Sequence, residues 1–116
     1  MHPYKRSERL GELVLAEISD LIARGEIKDP RIGFVTFTRV DMSDDLRYVK
    51  VFVSSMGSAP EKARTLQGLS SATGYIRRHL GRALHLRYTP EITFLLDESL
   101  EHGAKIAQLL RQLQAG

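Results

Sequence analysis

Leu66 to Tyr88 reads LQGLSSATGYIRRHLGRALHLRY, and this stretch decides the architecture. Leu66 and Leu69 fall on one apolar face. Ile76, Leu80, Ala83 and Leu84 repeat at i, i+4, i+7 and i+8 on a second. Between the two faces stands Ser70-Ser71-Ala72-Thr73-Gly74. Ser and Thr compete for backbone hydrogen bonds and Gly weakens a helix interior. The spacing therefore predicts two helices joined by a kink over Ala72–Gly74. Beyond it come Arg77, Arg78, Arg82 and Arg87, with His79 and His85. From Lys62 to Pro90 there is no Asp or Glu, so a net charge of only +3 conceals a strongly basic middle. A helix–kink–helix with cations after the kink is a candidate nucleic-acid surface.

Upstream, Leu10, Leu13, Val14, Ile18, Leu21 and Ile22 mark an amphipathic first helix, started near Ser7 and stopped at Gly25. Lys28-Asp29-Pro30-Arg31-Ile32-Gly33 is a turn-rich connection. Phe34 to Val40 is a strand with Val35 and Phe37 inward, and Asp41 to Leu46 is the following turn. Arg47 to Ser54 alternates, with Val49, Val51 and Val53 on one face. Ser58 is a candidate N-cap and Pro60 suits a first turn. Downstream, Glu91 to Asp97 is a third strand with Ile92, Phe94 and Leu96 on one face. Leu100, Ile106, Leu109, Leu110 and Leu113 mark a C-terminal helix. Two strands, a helical crossover and a third strand give an α+β fold: a three-stranded sheet with helices packed on one face.

A chain of 116 residues implies one domain, here residues 1–116, with a core over about 7–97 and a last helix over about 98–114. With no cysteine there are no disulfides or thiolate metal sites. No stretch approaches the ~18 apolar residues of a membrane span, and MHPYKRSERL lacks the apolar core of a signal peptide, so a cytoplasmic location is expected. The pI near 9.4 leans toward an anionic partner.

The order α-β-β-α-(kink)-α-β-α resembles the type II KH domain, an RNA-binding module with a Gly-x-x-Gly loop between two helices. Here that junction reads Ser71-Ala72-Thr73-Gly74, with only the last Gly present. Ala72-Thr73-Gly74 is similar to the Ala-x-Gly kink of the ribosome-binding factor A family. Further stretches carry the same resemblance: Lys28 to Thr36, Tyr48 to Ser54, Gly74 to Gly81, and Leu86 to Ser99. It covers about residues 7–113. The resemblance implies a cytoplasmic factor that binds the immature 30S subunit and its 16S rRNA. Members assist late rRNA maturation near the 5′ end and are associated with growth in the cold. They act by binding and not as enzymes, with no cofactor, small-molecule substrate or membrane, and a monomer is expected.

No catalytic constellation is present. His79 and His85 are six apart, off any one helical face, with no acid nearby in sequence to orient them. Ser70-Ser71 has no Gly-x-Ser-x-Gly context, and Gly68 to Gly74 lacks the Lys of a phosphate loop. Asp41, Asp44 and Asp45 do not match an EF-hand and read as a solvated turn. The candidate RNA-binding residues are Lys5, Arg6, Arg9, Ala72, Thr73, Gly74, Arg77, Arg78, Arg82 and Arg87. Arg78 and Arg82 are i, i+4 and form the best phosphate pair, with Arg77 flanking and Arg87 expected on the same side. Tyr75 and Tyr88 stand beside them, suited to core packing or to base stacking. Ala72, Thr73 and Gly74 would contribute backbone N–H groups at a helix start. Four neutralised phosphates give a log–log salt slope of about −3 to −4. Gly74 is expected to resist replacement, even by Ala. A different reading of the same charge is a protein-interaction domain whose basic helix docks an acidic partner.

Overall fold

Val49, Val51 and Val53 alternate with Tyr48, Lys50 and Phe52, and that period of two sets the centre of the molecule. In the computed structural model, which describes residues 5–115 apart from the side chains of Leu100, Glu101 and Ala115, the three valines are fully buried. They belong to β2 (Tyr48–Ser55), which pairs antiparallel with β1 (Val35–Met42) and parallel with β3 (Glu91–Leu96). The sheet order is β1-β2-β3. Register places Val49 beside Ile92, Val51 beside Phe94 and Val53 beside Leu96, so β3 extends the same apolar face.

β1 departs from the sequence expectation. The register shifts between Phe37 and Arg39, which pair with Val53 and Phe52. Thr38 is the extra residue of a β-bulge. The bulge resets the alternation, so the inward positions change from Val35 and Phe37 to Val40 and Met42. The strand therefore runs on to Met42, where a turn was expected from Asp41.

Three helices cover the valine face. α1 (Arg6–Ala23) buries Val14, Ile18 and Leu21. Leu13 lies one residue off that stripe and is 47% exposed, not in the core. The helix ends as expected. The Gly25 N–H bonds the Ile22 carbonyl and the Glu26 N–H the Leu21 carbonyl, with Gly25 at φ +69°. α2 (Ala59–Ser71) opens with a capping box: Ser58 Oγ accepts from the Glu61 N–H, and the Glu61 carboxylate accepts from the Ser58 N–H. α3 (Thr73–Ala83) buries Ile76 and Leu80.

The connection ahead of β1 is built onto α2. Thr65 Oγ1 accepts from the Gly33 N–H at 3.5 Å and donates to the Arg31 carbonyl at 3.4 Å. Arg31 reaches Asp29 at 2.7 Å and Ser71 Oγ at 3.0 Å, tying the turn to the end of α2. Gly68 lies beneath it, where an added Cβ would stand 2.7 Å from Ile32 Cγ1.

α4 (Ser99–Ala115) stands apart from this packing. Its side chains from His102 to Gln114 are exposed, including the Ile106, Leu109, Leu110 and Leu113 stripe.

Candidate nucleic-acid interface

Burial of Ile76 and Leu80 fixes how α3 is turned. Tyr75, Arg78, His79 and Arg82, at i, i+3, i+4 and i+7, then share an outward stripe and line a shallow hollow of about 320 Å3. Arg78 and Arg82 are exposed and have no ion-pair partner among the described residues. Tyr75 is 44% exposed, so it is not a core residue. His79 is half-buried, with Nε2 2.8 Å from Glu17 Oε2. The acid that orients this histidine comes from α1, 62 residues away in sequence. Local spacing carries no signal for that partner.

The two adjacent arginines have different surroundings. Arg77 lies about 100° around the helix from Arg78. It is half-buried, with Nε donating to the Pro90 carbonyl at 3.1 Å and Nη2 to the Thr89 carbonyl at 3.0 Å. These bonds clamp α3 to the start of β3. Arg77 is thus a structural strap first, and not a free flank to Arg78.

Arg87 also parts from the expected pair. It lines a cleft of about 860 Å3 where the first turn of α1, the β1–β2 turn and the α3–β3 connection converge. Arg6, Arg47 and Arg77 line the same cleft; Arg78 and Arg82 do not. The Arg87 guanidinium carbon is 5.7 Å from the Tyr88 ring centroid. Lys5 and Arg9 are exposed at the same end of α1 but line neither hollow. Arg47 and Tyr48 were not among the expected site residues. The Glu91 N–H bonds the Arg47 carbonyl at 2.8 Å, and this strand pairing is what brings them beside Arg87.

The kink is tighter than the sequence implies. One residue, Ala72, separates α2 from α3, and its φ of −89° and ψ of −2° stay in the helical region. Its N–H is taken by the Gly68 and Leu69 carbonyls, and Thr73 Oγ1 donates to the Ser70 carbonyl at 2.8 Å. Gly74 does not have positive φ, and a Cβ there would meet nothing within 4 Å. The expectation that Gly74 is strained or crowded is therefore corrected: the bend comes from Ala72.

The acids near these surfaces serve the fold. Asp29 is held down to about 2, chiefly by the Arg31 side chain and then by the Arg31 N–H. The Ser43 hydroxyl, then the Arg47 N–H, hold the Asp45 carboxyl below its usual range. Asp97 is also lowered to about 2, first by the Ser99 hydroxyl, then by that of Thr38, which donates at 2.6 Å. No group of three potential metal ligands gathers among the described residues.

The family model for ribosome-binding factor A matches residues 6–110. A ribosome-binding factor A of Halothermothrix orenii is 54% identical over 110 residues, covering 95% of this chain and 89% of that protein. The solution structure of a Thermotoga maritima protein assigned to ribosome binding factor A superposes with a TM-score of 0.70 at 35% identity, covering 82% of this chain and 90% of that one. A Thermus thermophilus ribosome binding factor A, fitted as a homology model into a map of its 30S complex, gives 0.65 at 23% identity, covering 79% and 96%. That likeness speaks for the fold alone. Matched over nearly its whole length, the chain belongs to the ribosome-binding factor A family.

Proposed function

We propose that this protein is an assembly factor that binds the immature small ribosomal subunit, with the outward stripe of α3 laid against 16S rRNA phosphates. The observation that carries this is the stripe itself. Arg78 and Arg82 are two exposed cations on one face, flanked by Tyr75 and by a histidine held in place by Glu17. Family membership supports the ribosome as the target. The Thermus relative, for its part, forms a complex with the 30S subunit. No Gly-x-x-Gly loop is available to clamp a single strand, so phosphate and shape recognition of folded RNA fits the junction better. The proposed role is late maturation of 16S rRNA, including 5′-end processing and growth in the cold. The protein acts by binding, as a cytoplasmic monomer and as one RNA-binding domain. Lys5, Arg6 and Arg9 add positive charge from α1, and Ala72 sets the angle at which α3, with Thr73 and Gly74 in its first turn, is presented.

Co-sedimentation with immature subunits tests this reading. Arg78→Glu combined with Arg82→Glu should abolish it while the melting curve barely moves. Unchanged binding by that variant overturns the reading. If binding is lost by the variant but survives RNase treatment of the subunits, the basic helix docks an acidic protein instead.

A further inference from the structure

The cleft between the first turn of α1, the β1–β2 turn and the α3–β3 connection is separate from the α3 stripe and lies at the other end of α3 from the kink. We infer that it takes one unstacked nucleotide of single-stranded RNA, its base against Tyr88 and Tyr48 and its phosphates against Arg87, Arg47 and Arg6. The inference shares with the proposed function only that the ligand is RNA.

Several independent features converge there. The volume, about 860 Å3, falls in the range of roughly 300–1,000 Å3 typical of small-ligand sites. Tyr88 is 77% exposed and Tyr48 55% exposed, so two large aromatic faces are offered to solvent in one hollow. Arg87 over the Tyr88 ring leaves the opposite ring face for a base. Two acids, Asp45 and Glu91, face four arginines, Arg6, Arg47, Arg77 and Arg87, in the lining. The cations therefore dominate. A duplex keeps its bases stacked and offers no free base face to a tyrosine, whereas an unstacked nucleotide uses both the rings and the guanidinium groups.

Two left-handed backbone positions frame the same place. Among the described residues, the non-glycine residues with positive φ are Leu46 at +64° and His85 at +52°, and both line this cleft. Leu46 sits in the β1–β2 turn, where its N–H bonds the Ser43 carbonyl and its side chain packs against the core. His85 is exposed. It occupies the position after the α3 cap where the Leu86 N–H bonds the Gly81 carbonyl, a place that glycine fills at lower cost. Its imidazole faces the cationic and aromatic hollow, within reach of a bound nucleotide.

Fluorescence anisotropy with 3′-labelled hexauridylate tests the inference, using the full chain and no ribosomal subunit. Wild type should bind saturably. Tyr88→Ala and Tyr48→Ala should each weaken binding by about 5- to 100-fold, the loss expected for one stacked base. His85→Gly should weaken binding while its melting temperature rises, which separates a ligand role from a folding defect. Uridine monophosphate and a 12-base-pair RNA duplex should each compete far less well than unlabelled hexamer. The inference is overturned if no saturable binding occurs, or if both tyrosine variants bind like wild type. Equal competition by the monophosphate makes this a free-nucleotide site, and equal competition by the duplex makes it a phosphate patch; either outcome also overturns it. Failure here leaves the α3 reading standing, and failure of co-sedimentation leaves this one standing.

Discussion

Gly68 and Gly74 are six residues apart in the helix pair, and the same substitution should move stability in opposite directions. At Gly74 the backbone is helical and a Cβ meets nothing within 4 Å. Gly74→Ala therefore gains helix propensity without a packing cost, about 0.5–1 kcal/mol. At Gly68 the same propensity gain is opposed by contacts with three residues of the turn ahead of β1. The new Cβ would stand 2.7 Å from Ile32 Cγ1, 3.3 Å from Arg31 Cβ and 3.4 Å from Asp29 Cγ. Ile32 Cγ1 is close to its own backbone, and Arg31 is held by Asp29 and Ser71, so the turn cannot swing clear cheaply. Overpacking of this kind costs about 1–3 kcal/mol, which exceeds the propensity gain and leaves Gly68→Ala destabilised by up to about 2.5 kcal/mol. Urea denaturation measures both, with the midpoint rising for Gly74→Ala and falling for Gly68→Ala at unchanged m-value. A midpoint that falls for Gly74→Ala would show strain at the kink. One that rises for Gly68→Ala would mean that the turn does not pack on α2 as described.

Side-chain partners give two more expected outcomes. Asp29 and Asp97 are both lowered to about 2, so the folded state binds fewer protons than the unfolded state as pH falls. Their stabilisation is full above the ordinary carboxylate value near 4 and is lost between roughly pH 4 and 2. Midpoints measured across that window should fall more gently for Asp29→Asn and Asp97→Asn than for wild type. Arg77→Ala removes bonds to the Thr89 and Pro90 carbonyls and should lower stability by about 1–3 kcal/mol by chemical denaturation, whereas Arg78→Ala should stay within about 0.5 kcal/mol.

What the sequence made legible was local. β2 alternates through three valines with no irregularity, so its faces were readable, and so were the glycine stop of α1 and the Ser58 N-cap of α2. β1 was readable only up to Thr38, because a bulge is defined by what lies across the ladder and leaves no mark in the strand itself. The α4 stripe announced a helix, but periodicity says nothing about whether a surface exists to receive it. The kink was placed correctly by Ser-Ser-Ala-Thr-Gly, yet its cause was assigned to the Ser, Thr and Gly residues when Ala72, in helical geometry, is the residue between the two helices. Arg47 and Tyr48 escaped notice because parallel pairing with β3, formed across the whole helical crossover, is what carries them to Arg87.

The acid-free run from Lys62 to Pro90 suggested four free arginines, and the structure divides them by neighbour. Arg77 commits two donors to backbone carbonyls, Arg87 faces the tyrosine cleft, and His79 has found Glu17 on another helix. An absence of local acids therefore does not by itself leave cations uncommitted, since backbone carbonyls take some of them. Arg78 and Arg82 remain as a pair on one exposed stripe. Each neutralised phosphate adds about 0.7–0.9 to the log–log salt slope. Removing this pair as Arg78→Ala with Arg82→Ala should then flatten the slope for subunit binding by about 1.4 to 1.8, half of what four arginines acting together would contribute. Affinity titrations between 50 and 200 mM salt, on the order of the range over which such slopes are read, measure it directly. A change near 3 would mean that the stripe and the cleft engage one continuous run of phosphates. No change would move the phosphate contacts off α3 altogether.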